Sequence, residues 1–243
     1  MGRQIAAEWI KARSLRSIWV LIAVAVLGLV AQALDGLITF RDASAGEQTL
    51  NALSGSSLTL LVVTLIGVLI AASEYGSKAI VSTYTVTPDR RRVIFAKAIV
   101  AVAIAVAVGV LSVPVARLVA AVYFGVGGSG ELDASFGTAF LYGYGTILAF
   151  AGFAVIGLAI GVLSRSVAVG VAIVFVGIFV VDSLIGSVSV YSEYSLTSIS
   201  AVLLDPDVHQ SRFPRFGPAV ALMLLYAGVL TALAVAVERR RDV

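Results

Sequence analysis

Ser73-Glu74-Tyr75-Gly76-Ser77-Lys78-Ala79-Ile80-Val81-Ser82-Thr83-Tyr84-Thr85-Val86-Thr87-Pro88-Asp89-Arg90-Arg91-Arg92-Val93-Ile94-Phe95-Ala96-Lys97 separates two long apolar runs. Five of these residues are basic (Lys78, Arg90, Arg91, Arg92, Lys97), and only Glu74 and Asp89 are acidic. A connection this rich in Lys and Arg stays on the cytoplasmic side of a bilayer and so orients every span around it. Its middle, Lys78 to Val86, is short and amphipathic, suited to lie across the membrane face and meet a soluble partner. The stretch reads as a docking element.

Outward from it the chain is apolar. Hydrophobic residues make up 60% of the sequence and charged residues 13%, with a mean hydropathy of +1.04. Several uncharged stretches reach the roughly 20 residues needed to cross about 30 Å of hydrocarbon. The expected spans are 17–38, 56–72, 98–124, 136–163, 167–187 and 218–237. The chain is therefore expected to be an all-α, polytopic membrane protein with six transmembrane helices, organised as one transmembrane domain over 1–243. The first span is too long for a signal peptide and has no small-residue cleavage site close behind it. The net charge of +3 gives no reason to expect nucleic acid, because the basic residues sit beside span ends. With no cysteine, thiol chemistry and Cys-ligated metals are excluded.

Thirteen Lys and Arg fall on the side of the 73–97 connection, including Arg3, Lys11, Arg13, Arg16, Arg165 and Arg239 to Arg241. Four, Arg41, Arg117, Arg212 and Arg215, fall on the other. That asymmetry places both termini in the cytoplasm. Residues 1–16 carry Ile5, Trp9 and Ala12 at helical spacing, with Glu8, Lys11 and Arg16 largely on other faces and Arg13 close by. This pattern suits an interfacial amphipathic helix with Trp9 at headgroup depth. A plain charged flank with Trp9 as an aromatic anchor would read the same.

Two places in the chain carry a resemblance to a known family. Ala7-Glu8-Trp9-Ile10-Lys11 with Arg13, Ser14, Arg16, Ser17 and Trp19 looks like the amphipathic connecting helix before the first span of ABC-2 type transporter permeases. These are the membrane subunits of bacterial ATP-driven exporters. Ser73-Glu74-Tyr75 through Pro88, Arg90, Arg91 and Lys97 is similar to the family's coupling region between spans two and three. The match departs at Gly76-Ser77-Lys78, where the family pattern has a basic residue followed by Gly-Thr. The resemblance implies a multi-pass protein of the bacterial inner (cytoplasmic) membrane that pairs with a second copy of itself and with a separate ABC ATPase subunit. The ATPase-docking residues are then Glu74, Tyr75, Lys78, Thr87, Pro88, Arg90, Arg91 and Arg92. Glu8, Trp9, Lys11, Arg13 and Arg16 of the interfacial helix support them.

The chain itself has no Gly-x4-Gly-Lys-Ser/Thr motif, so it is not expected to be an enzyme or to bind a cofactor. ATP and Mg would belong to the partner. On physical grounds alone, Arg90 to Arg92 also suit topology and contact with anionic membrane lipid. An ATP-independent channel, a secondary transporter or a membrane assembly factor remain alternatives. Scarce buried ionisable residues and the lack of a repeat weigh against the transporter. The only histidine, His209, lies near Asp205 and Asp207 beside Pro206, a pattern of turn chemistry rather than a metal site. No catalytic or metal-ligating set is expected.

Charges near the membrane are costly, so Arg117 and Asp182 are the candidates for a pathway or gate, with Asp35 a further pairing option. Pro114 is expected to bend the third span. Gly157 and Gly161 of span four stand in small-xxx-small spacing, which permits close helix approach within the chain or across a dimer. The external connection, 187–217, carries Tyr191, Tyr194, Phe213 and Phe216 with two prolines, Pro206 and Pro214. It reads either as a loop with aromatic anchors or, by the resemblance, as re-entrant helices.

Overall fold

The computed structural model describes residues 1–40, 42, 45–76, 79–86, 89–127, 136–188, 191–206 and 215–240. Lys78, Thr87, Pro88, Asp207 and His209 lie outside them. Among the described residues the chain is helical throughout, without a strand. The elements are α1 (Gly2–Ser14), α2 (Arg16–Thr39), α3 (Ala45–Leu53), α4 (Ser57–Gly76), α5 (Ala79–Val86), α6 (Arg90–Gly127) and α7 (Phe136–Ser164). After these come α8 (Val167–Ile173), a π-helical stretch Val174–Asp182, α9 (Ser183–Gly186), a 3-10 turn Ser192–Tyr194, α10 (Leu196–Leu204) and α11 (Phe216–Arg240).

Five helices are long and apolar enough to cross a membrane, running over Arg16–Thr39, Leu50–Gly76, Arg90–Gly125, Gly137–Ser164 and Phe216–Arg240. They coincide with five of the six expected spans. The remaining one, expected at 167–187, is apolar but changes winding, from α to π at Val174 and back at Ser183. Pro114 lies inside α6 without ending it. Inside a bundle, neighbouring groups can satisfy the carbonyl that a proline frees.

The bundle is organised around α4 and α7, each 67% buried over its most apolar stretch, against 17% for α11. Glycines set the closeness of that packing. A Cβ on Gly157 would lie 2.0 Å from the carbonyl oxygen of Thr64, and one on Gly67 2.2 Å from that of Ala154. Gly161 meets Val68 and Ala71 in the same way. The small-residue spacing of the fourth span therefore serves contact with α4 inside this chain. Phe150, Phe153, Ile156 and Leu158 fill the space around it with Leu60, Val63, Ile66 and Val68.

α3 and α10 lie in connections for which no span is expected. α10 packs against α7 and α11, with Ile199, Val202, Leu203 and Leu204 buried. Its carboxyl end joins the start of the α4 segment, where the Gly55 N–H donates to the Leu204 carbonyl at 2.9 Å. Part of the external connection is thus a buried helix built into the bundle.

Candidate functional site

At the end of the bundle that carries α5, four charged side chains from three helices close into one cluster. Glu8 and Lys11 stand one turn apart on α1 and so share a face. Glu74 stands two residues from the end of α4, and Lys97 lies about two turns into α6, roughly 10 Å from its first residue. α4 and α6 flank the connection that holds α5, and the longer reach into α6 brings Lys97 beside Glu74.

The Lys97 ammonium donates to Glu8 Oε2 at 2.7 Å, to Glu74 Oε1 at 2.5 Å and to the Ile70 carbonyl at 3.3 Å. Those three acceptors use all three of its protons. Lys11 is satisfied in parallel, donating to Glu8 Oε1 at 2.8 Å, Glu74 Oε1 at 3.1 Å and Thr83 Oγ1 at 3.0 Å. The Thr83 hydroxyl in turn reaches Glu74 Oε2 at 3.2 Å. Two cations face two carboxylates, so the cluster is neutral.

Glu8, Lys97 and Glu74 are 2%, 3% and 8% exposed, so all three have lost their water. Such a loss costs several kcal/mol per ion unless pairing and hydrogen bonds offset it, and here every ammonium proton has an acceptor. Burial presses the Lys11 ammonium towards its neutral form, but hydrogen bonds and charge from Glu8 and Glu74 outweigh it. The Lys11 pKa is raised above the ordinary lysine value. A cleft of about 330 Å³ opens onto the cluster, bounded by Ser14, Leu15, Ser73, Ala79 and the four charges. Through Thr83, α5 is joined to α1 and α4, and through Lys97 to α6.

A second polar contact closes the same end. Arg165, in the turn between α7 and α8, pairs with Glu238 Oε2 at 3.0 Å and lies over the Tyr75 ring at 5.4 Å. Arg90 donates to the Glu238 carbonyl. Arg165 has φ 53°, in the left-handed region that side chains adopt at a cost of roughly 1–3 kcal/mol. Together these contacts tie the last turn of α11 to α4, α6 and the α7–α8 turn.

Of the residues singled out in the sequence, Glu8, Lys11 and Glu74 meet in the cluster, while Tyr75 and Arg90 join the second contact. Trp9, Arg13, Arg16, Arg91 and Arg92 are exposed. α1 buries Glu8 and Ala12 while Trp9 stays 45% exposed, so its inward face holds a charge that the apolar spacing did not assign to it. Arg91 and Arg92 belong to the first turn of α6, held by Asp89, whose carboxylate accepts from the Arg91 N–H and pairs with Arg92. At the opposite end, Asp182 accepts from Leu196 N at 3.0 Å, Thr197 N at 2.8 Å and Thr197 Oγ1 at 2.9 Å. Its carboxylate is turned to the start of α10, not to Arg117, and Asp35 meets Thr39. Thr83, Arg165 and Glu238 were not picked out as contact residues. For Glu238 the signal is an acid directly before a run of three arginines, Glu238-Arg239-Arg240-Arg241.

The family model described as ABC-2 family transporter protein matches residues 4–181, from α1 to within one residue of the end of the π-helical stretch. This chain belongs to the ABC-2 transporter family. The match takes in all four charges of the cluster, so the cluster lies within the matched part of this ABC-2 permease. Permeases of the family are membrane transport components and not themselves ATPases, and they normally work with an ABC ATPase partner. With its five long apolar helices, this ABC-2 permease is a multi-pass membrane protein. No curated protein matches the chain.

Proposed function

We propose that this chain is the transmembrane subunit of an ATP-driven exporter, and that α5 receives the movement of a separate ABC ATPase. The observation that carries the proposal is Thr83. This one hydroxyl on the short helix is bonded to Lys11 and Glu74, and through them to Glu8 and Lys97. A displacement of α5 is then passed to α1, α4 and α6 as a unit, because the buried charges cannot separate without losing their pairing. Rigid-body shifts of packed elements are a common way of transmitting such movement.

In this reading the whole chain, 1–243, is one permease domain with six spans. The 167–186 segment is the fifth of them: it starts beside Arg165 at the α5 end, and its Asp182 meets α10 at the other. Residues 1–16 lie at the cytoplasmic interface, 73–97 form the coupling region, and both termini are cytoplasmic in a bacterial inner membrane. ATP and Mg bind the partner, and two permease copies assemble with two ATPases. The exposed Arg91 and Arg92 offer the ATPase contact charges, with Lys78, Thr87 and Pro88 completing the docking surface. Arg117 and Asp182 lie near the outer end of the pathway.

The test is co-purification, in mild detergent, of the full chain with candidate ABC ATPase subunits from the same genome, followed by ATP hydrolysis. Arg91→Glu with Arg92→Glu is expected to abolish association while the thermal unfolding midpoint stays put. Glu74→Gln is expected to keep some association and uncouple hydrolysis from the permease. A folded chain that captures no ATPase would overturn the proposal and favour a channel or an ion-coupled carrier.

A further inference from the structure

On the outer side of α1, away from the four-charge cluster, a groove of about 250 Å³ lies where this helix turns into α2. Its floor is Ile18, Ile22 and Ile104, and its walls are Trp9, Trp19 and Arg13. Trp9 and Trp19 are 45% and 53% exposed, and the Trp19 indole N–H donates to the Arg13 carbonyl at 2.9 Å. That bond fixes the ring across the bend at Leu15, so the groove has a set shape. Indole rings with an apolar body and a polar edge settle at the headgroup level of a bilayer.

The charge around the groove is of one sign. Glu8 is the only acid of α1, and it is turned inward and neutralised by Lys11 and Lys97. What α1 and the start of α2 leave exposed is Arg3, Arg13 and Arg16. Among the described residues, the Arg13 guanidinium has no hydrogen bond or ion pair. An apolar slot with a cation at its rim, at headgroup depth, matches one acyl chain and one phosphodiester of the same molecule.

We infer that the groove between α1, α2 and α6 binds one anionic phospholipid, its acyl chain against Ile18, Ile22 and Ile104 and its phosphate on Arg13. The inference rests on α1 lying at the membrane surface and is independent of any ATPase. Occupation would brace α1 from outside, against the helix whose other face holds Glu8 on Lys97. Lipid of the surrounding leaflet would then bear directly on the cluster.

Native mass spectrometry of the detergent-purified full chain tests this with dioleoyl phosphatidylglycerol, the matched phosphatidylcholine and glycerol 3-phosphate. Phosphatidylglycerol is expected to be retained about fivefold better than phosphatidylcholine, the preference one basic residue gives near a membrane surface. Arg13→Gln should erase that preference, Arg13→Lys should keep most of it, and Arg215→Gln at the other end should leave it whole. Ile22→Trp, which fills the slot, should lower retention of both lipids. Equal retention of the two lipids by the unaltered chain would overturn the inference. So would an Arg13→Gln chain that behaves like Arg215→Gln, or displacement of the lipid by equimolar glycerol 3-phosphate.

Discussion

Lys97 of α6 and Glu8 of α1 meet at 2.7 Å across 89 residues of sequence, both almost wholly out of water. The contact joins the helix that precedes the first span to the helix that leaves the 73–97 connection. Lys11 and Glu74 complete the set, so removing either Lys97 or Glu8 leaves the buried cluster with one charge in excess. Each partner therefore needs the other's helix in place.

Replacing one partner leaves the buried cluster with one uncompensated charge, which costs up to about 3–5 kcal/mol in such settings. Lys97→Met is expected to lower the unfolding midpoint sharply in detergent. Glu8→Gln combined with Lys97→Met should cost less than the sum of the two, with a coupling of roughly 0.5–3 kcal/mol for residues in one network. Additive losses in chemical denaturation would show that the pair does not act as one unit.

The α4–α7 seam predicts a contrast between two glycines. Gly157→Ala puts a methyl group 2.0 Å from the Thr64 carbonyl, so the helices must separate, at a cost of about 1–3 kcal/mol. Gly177→Ala meets nothing closer than 3.8 Å and should be neutral or slightly stabilising. Thermal unfolding of the two variants side by side checks this, and equal midpoints would contradict the packing argument.

Asp182 holds the amino end of α10 through three hydrogen bonds. Asp182→Ala should free two backbone N–H groups and cost about 1–3 kcal/mol, with Asp182→Asn losing less because an amide oxygen still accepts. Hydrogen exchange over 196–204 is the measurement. Faster exchange there, with α7 unchanged, is the expected outcome.

Lys11 gives a pH signature. Its pKa is raised in the folded chain by the hydrogen bonds and charges of Glu8 and Glu74, against the opposing effect of burial. Its contribution to stability is therefore full below the unfolded lysine value of about 10.4 and is lost as pH rises through the higher folded value. Unfolding midpoints followed from pH 9 upward should fall for the unaltered chain. Lys11→Met should remove part of that slope, and an unchanged slope would mean that Lys11 is not its source.

Much of the membrane architecture was legible in the chain itself. Uncharged runs of the right length marked α2, α4, α7 and α11 within about four residues, and α6 apart from its first eight residues, because the length needed to cross hydrocarbon is a local property. The Lys78 to Val86 segment pointed to α5 for the same reason, since a short apolar-polar stretch between two spans has few other places to lie. The winding change at Val174 was not legible: the stretch is apolar up to Asp182, and its single Gly177 does not distinguish π from α. The sequence left 187–217 open between a loop and re-entrant helices, because polar flanks such as Ser192, Ser195 and Asp205 surround the apolar run that becomes α10.

Sequence by itself determined that this protein is a set of apolar helices, which connection is most basic, and which two segments resemble a transporter permease. Hydrophobic length and charge counts are sums over neighbouring residues, and they need no knowledge of the fold. Only the tertiary structure decided that Glu8 turns inward to Lys97, that Thr83 joins α5 to Lys11 and Glu74, and that Asp182 serves α10. Those facts depend on which face each helix presents to the others. A buried charge chooses that face by the partner it finds there, and the partner lies tens of residues away in the chain.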